Sequence, residues 1–159
     1  MRSKYNVDSN TANRTCDGVI FDSRQEMLYY RDVLKPLVDS GDVTEYELQK
    51  KYVLQPGFVH DGKKILPITY IADFWMRFKD GHEKVVEVKG FADQKAPIKR
   101  KMFYYVYPDI ELVWMKYVVK FGGWITDEEY KVMKRKEKKE KAVWLLKNML
   151  KIQMDNMIS

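Results

Sequence analysis

The densest hydrophobic patterning in the chain lies in two arms, Ile68–Phe78 and His82–Gly90, both rich in β-branched and aromatic residues and separated by Lys79-Asp80-Gly81. This pattern predicts a β-hairpin. The turn decides its register. A three-residue loop, with Lys79 and Asp80 right-handed and Gly81 left-handed, pairs Phe78 with His82 and therefore Asp73 with Glu87. A two-residue Asp80-Gly81 loop instead opposes Asp73 to Val88 and sends the two acids to opposite faces. In the first register Phe74, Met76, Val86 and Val88 form one face, suited to a core, while Asp73, Glu87 and Lys89 share the other.

The flanking segments complete an order of elements. Residues 1–18 are polar and read as a mobile arm or an irregular lead-in, and Val19-Ile20-Phe21 as a short strand. Ser23-Arg24-Gln25-Glu26 fits a capping box opening a helix. Met27, Tyr30, Leu34 and Leu37 follow at helical spacing, and Pro36 is expected to end or kink the helix near Lys35. Ser40-Gly41-Asp42 is a turn, Val43–Leu54 an extended segment of one or two strands, Gln55-Pro56-Gly57 a break, and residues 60–64 a loop. Pro97 suits the first turn of a second helix that stops at Tyr107-Pro108. Ile110–Val119 reads as a buried strand, reached through that helix by a right-handed crossover. Phe121-Gly122-Gly123-Trp124 reads as a flexible break. Thr126-Asp127-Glu128-Glu129 is a second capping box, opening a helix to about Met154 whose apolar end either leaves the domain or folds back on it. The order predicts a mixed α/β domain over residues 19–120, an arm over 1–18 and a C-terminal helix over 121–159.

Composition narrows the class. Of 159 residues 45% are hydrophobic and 33% charged, which fits a globular chain with a core and excludes disorder. No apolar run reaches the ~20 residues of a membrane span, and the first residues lack a signal-peptide core, so a cytoplasmic location is expected. One cysteine, Cys16, cannot close an internal disulfide, and His60 and His82 stand apart without zinc-ligand spacing. The net charge of +6 favours a polyanionic partner, nucleic acid before an anionic membrane.

The candidate chemistry sits on the hairpin. Asp73, then Glu87-Val88-Lys89, places two carboxylates across a hairpin with a lysine two residues on. Facing carboxylates repel, and a divalent cation compensates them. Two carboxylate oxygens with the Val88 backbone carbonyl make a hard-oxygen site for Mg²⁺, for which Mn²⁺ is a substitute. Lys89 can orient an attacking water or stabilise phosphate charge. Lys95, Lys99, Arg100 and Lys101, downstream of the site, and Arg24 on the first helix are expected phosphate contacts. Phe103 and Tyr104 are expected in the core, and His82 at the surface.

The segments 21–26, Leu54-Gln55-Pro56-Gly57-Phe58, Pro67–Phe74 and Val85–Gly90 together resemble a phage-associated family of the PD-(D/E)XK nuclease superfamily. That superfamily includes restriction enzymes and the archaeal-type and Bacillus-type Holliday junction resolvases. The resemblance spans about Val19 to Val119. It implies a restriction-endonuclease-like core, a mixed sheet flanked by helices, and Mg²⁺-dependent hydrolysis of DNA phosphodiesters. Asp73 and Glu87 would be metal ligands and Lys89 the catalytic lysine. Glu26 matches the additional acid on the first helix, although its capping position also explains it. Ala72 stands where many members have proline. Cleavage of branched DNA by a homodimer in a bacterial host cytoplasm is the activity implied. The alternatives are a non-catalytic nucleic-acid-binding or phage assembly protein with a vestigial site, and a basic helix lying on an anionic membrane.

Overall fold

A computed structural model describes residues 10–88 and 96–158. A 3₁₀ turn, Thr11–Arg14, leads into a small hairpin of β1 (Thr15–Cys16) and β2 (Val19–Ile20). Helix α1 (Arg24–Tyr29), a wide π turn (Tyr30–Leu34) and α2 (Lys35–Asp39) then run without interruption. The long strand β3 (Val43–Gln55) is followed by a hairpin of β4 (Phe58–His60) and β5 (Lys63–Ile65). Next come β6 (Ile68–Phe78), β7 (Glu83–Val88), α3 (Ala96–Val106), β8 (Glu111–Val118), a 3₁₀ turn, β9 (Gly123–Thr126) and α4 (Asp127–Ile158).

The central sheet has the order β3-β6-β7-β8-β9. Only the β7–β8 pair is parallel, and α3 makes the crossover between them. This is the mixed α/β architecture expected from the order of elements, and both faces of the sheet are covered. On one face Met27, Tyr29, Tyr30 and Leu34 pack on Val43, Phe74, Met76, Val86 and Val88. On the other Phe103 and Ala96 of α3 pack on Tyr52, Tyr70, Ala72, Trp75, Val85, Leu112 and Trp114. Burying a large apolar side chain on either face contributes about 1.5–3 kcal/mol. The middle strands are therefore apolar on both sides.

The hairpin takes the three-residue turn. Phe74 pairs with Val86 and Arg77 with Glu83, the Phe78 N–H donates to the His82 carbonyl, and Gly81 has φ +89°. An Asp80 carboxylate oxygen accepts from the His82 N–H and holds the turn. His82 is exposed, stacked on Phe78.

Several local expectations are corrected. Pro36 does not end the first helix: the Lys35 N–H reaches back to the Tyr30 carbonyl, and this widened turn accommodates a residue with no N–H to give. Residues 43–55 form one strand. The 60–64 loop is the tip of the β4–β5 hairpin, turning at Asp61-Gly62 with both φ values positive. The described part of the arm is ordered, since Phe21 and Arg14 exchange hydrogen bonds across the expected boundary at residue 18. The break at 121–124 holds the end of a 3₁₀ turn (Val119–Phe121) and the start of edge strand β9, so the sheet runs on to Thr126, past the expected limit at residue 120. Trp124 is fixed there edge-on to Tyr29.

Helix α4 opens with the expected capping box, the Glu129 carboxylate accepting from the Thr126 N–H and the Glu129 N–H donating to Thr126 Oγ. Asp127 is buried and ion-paired to Lys116 of β8 and to Lys131. Burial alone would raise this carboxyl, but the two ammonium groups hold it below its ordinary value. Phe121 against Tyr130 and Lys120 paired to Glu137 extend the anchor. From Lys138 to Met154 every side chain except Asn148 is exposed, Trp144 by 61%. The helix end does not fold back on the domain.

Candidate metal and nuclease site

The register that pairs Phe74 with Val86, carried one residue further, sets Asp73 against Glu87. The ladder stops there. Hydrogen-bonded pairs alternate along antiparallel strands, so after the Phe78–His82 bond the Val88 N–H would go to the Ala72 carbonyl. It donates instead to Asp73 Oδ2 at 2.7 Å. The other oxygen, Oδ1, lies 3.4 Å from the Gln49 side-chain amide.

The diversion has a cause in the backbone. Tyr70 and Ala72 face α3 along with Trp75, whereas Phe74 and Met76 face α1. Strict alternation would put Tyr70 and Trp75 on opposite faces. In the facing strand Leu48 packs on the α1 side, while Tyr52 and Leu54 pack on the α3 side. Both strands slip one position at Gln49 and Asp73, with pairing unchanged on either side. Gln49 takes up the irregularity with φ +53°, a conformation disfavoured for a residue with a side chain.

Glu87 follows Val85 on the α3 side, and its Oε2 accepts from the Tyr70 hydroxyl at 2.7 Å. The buried Trp114 indole N–H donates to that hydroxyl at 3.3 Å. Burial, then the charge and hydrogen bond of Glu87, then more weakly Asp73, push the Tyr70 phenol far above its ordinary value. It stays protonated and donates. Tyr70 thus lies within electrostatic reach of both acids.

Glu26 is 7% exposed at the start of α1. Its N–H donates to Ser23 Oγ at 3.1 Å, and the Ser23 hydroxyl donates to Glu26 Oε1 at 2.7 Å. Burial raises its carboxyl above the ordinary value against the Ser23 bond, and the charges of Asp22 and Glu87 add to the rise. The capping role is compatible with a weak electrostatic influence of Glu87.

The carboxylates meet neutral donors, not only each other. This alters the expectation that a cation alone compensates them. Among the described residues no three His, Cys, Asp or Glu side chains converge as a metal cage. A cation here would have Asp73 and Glu87, backbone carbonyl and water, a donor set that fits Mg²⁺, which keeps several waters. Lys89 and Lys95 lie outside the described residues.

The expected phosphate contacts divide. Arg24 and Lys101 are exposed and Lys99 is half-buried. Arg100 is engaged elsewhere: it pairs with Glu128 of α4 at 2.6 Å, lies over the Trp114 ring and donates to the Tyr104 hydroxyl. It joins α3 to α4 and is not available as a phosphate contact. Phe103 is fully buried as expected, but Tyr104 is 43% exposed and not core. Tyr70, Gln49 and Trp114 were not anticipated. For Tyr70 the alternation pointed away from the acids, and nothing in the sequence around Gln49 marks a left-handed residue.

The model of a protein family of unknown function, DUF1064, matches residues 2–123, and the chain belongs to that family. The matched span covers the sheet up to the first residue of β9 and leaves α4 outside it. No curated protein matches the chain. Among the described residues no helix is long and apolar enough to cross a membrane.

Proposed function

We propose that this DUF1064 member is a Mg²⁺-dependent DNA endonuclease that hydrolyses phosphodiester bonds, with Mn²⁺ as a substitute ion. The observation that supports the reading is that the β6–β7 ladder opens where Asp73 and Glu87 lie on adjacent strands, each carboxylate held by a separate donor. Asp73 and Glu87 would hold the ion, with the Val88 carbonyl as a further oxygen. A bound ion would lower the pKa of a coordinated water and stabilise charge on the phosphoryl oxygens. Lys89 orients the attacking water and stabilises charge on the phosphate. Glu26, whose carboxyl burial raises above its ordinary value, assists at the water. The resemblance of the four sequence segments to PD-(D/E)XK resolvases supports branched DNA as substrate. Symmetric cleavage of a four-way junction needs two such sites, hence a homodimer.

The test is a cleavage panel of junction, flap, duplex and single-stranded DNA with Mg²⁺, run beside Asp73→Ala and Lys89→Ala. Cleavage by the wild type and none by the folded variants is the expected result. Full activity of either variant sinks the mechanism.

A non-catalytic role, in nucleic-acid binding or phage assembly, is favoured by one observation: each acid accepts a hydrogen bond from a protein donor, Asp73 from the Val88 N–H and Glu87 from the Tyr70 hydroxyl. Calorimetry separates the readings. Binding of DNA with no uptake of millimolar Mg²⁺ or Mn²⁺ supports the second.

A further inference from the structure

The net charge of the chain is not spread over it. Residues 134–151 carry eight Lys and Arg against two Glu, a net +6, and the rest of the chain balances at 21 charges of each sign. This stretch belongs to α4, beyond most of its anchor on β8 and β9. At 3.6 residues per turn Tyr130, Met133 and Glu137 share the side turned to the domain. Arg135 and Lys139 fall on the opposite side and Lys138 flanks them, all exposed. Arg135 and Lys139 are four residues apart, and like charges at that spacing destabilise a helix, whereas Lys134 is paired to Glu137. A neighbouring polyanion relieves this repulsion.

We propose that the outward side of α4, centred on Arg135, Lys138 and Lys139, is an arm that grips the phosphate backbone of DNA. It takes DNA as partner from the proposed function but uses none of the residues of the hairpin site. The contacts are to phosphate, so they carry affinity and orientation and not sequence preference. An anionic membrane fits less well: over residues 134–141 the domain-facing side carries Glu137, and no apolar face lies opposite the cations for lipid to receive.

The experiment measures binding of the full chain to labelled duplex and four-way junction DNA by fluorescence anisotropy in EDTA, across a salt series. The triple variant Arg135→Gln, Lys138→Gln, Lys139→Gln is compared with a matched triple in the domain, Lys51→Gln, Lys63→Gln, Lys64→Gln. Glutamine keeps helix propensity, and circular dichroism checks the fold. The arm variant should lose at least about tenfold in affinity, and its slope of log K against log salt should fall by about 2–3, near 0.9 per phosphate contact. The domain variant should change little. Equal effects of the two triples, or no effect of the first, overturn the arm. Binding of wild type to phosphatidylserine vesicles in preference to DNA overturns it in favour of lipid. Binding without cleavage when Mg²⁺ is restored sinks the nuclease reading and leaves the arm standing.

Discussion

The Tyr70 hydroxyl donates to Glu87 Oε2 at 2.7 Å, linking a residue near the start of β6 to one near the end of β7. Partners that orient metal ligands typically change affinity or activity 10–100-fold when removed. Tyr70→Phe should therefore weaken Mg²⁺ binding and cleavage by about that factor, read by calorimetry and single-turnover rates. Unchanged values in both would reduce the hydroxyl to a structural contact.

Asp73→Asn isolates charge from shape. Asparagine keeps an oxygen for the Val88 N–H, so the ladder opening should survive and the melting temperature should shift by only a few degrees. Cleavage should fall by roughly 10²–10³, the scale on which single electrostatic groups act in catalysis. Retained activity would remove Asp73 from the metal site.

Glu26 gives a pH signature. Its folded carboxyl titrates above the unfolded one, so the folded state binds more protons in between, and stability falls as pH rises through that window. The loss begins near the unfolded value of about 4.3 and is complete above the raised folded value. In EDTA, Glu26→Gln should be the more stable protein at neutral pH and the two should converge at acid pH. Urea unfolding from pH 4 to 8 reads the difference, and parallel curves would discount the burial. Mg²⁺ should stabilise the wild type more than the variant.

Arg100 lies in a structural contact. Losing its ring contacts and the Glu128 pair should cost about 1–2 kcal/mol. Arg100→Ala should show this in urea unfolding while DNA affinity in EDTA stays unchanged. A large loss of DNA affinity with intact stability would restore it as a phosphate contact.

Under the proposed function, the homodimer is expected to close on the exposed apolar residues of α4, Leu146 and Leu150 among them. Leu146→Asp with Leu150→Asp should convert a dimeric wild type to a monomer in light scattering. A wild type that is monomeric throughout would require junction cutting by another arrangement.

Much of this protein is legible along the chain. Glycine in a three-residue turn fixes the β6–β7 register, and β-branched and aromatic runs mark the interior strands. The two capping boxes at Ser23 and Thr126 place helix starts to the residue, because each is a local exchange of hydrogen bonds. The acids themselves follow from that register. What the sequence could not decide is where alternation fails. A period of two holds only while the backbone stays extended; Gln49 leaves that conformation with φ +53°, and the faces of both strands exchange at Gln49 and Asp73. That slip turns Tyr70 toward Glu87 and diverts the Val88 N–H to Asp73. The fate of Arg100 and the outward course of α4 were likewise set by packing against Trp114, Glu128 and β8, contacts between residues far apart in the chain. Local hydrogen bonding and side-chain period are written in neighbouring residues; the orientation of a charged group depends on which distant surface covers it.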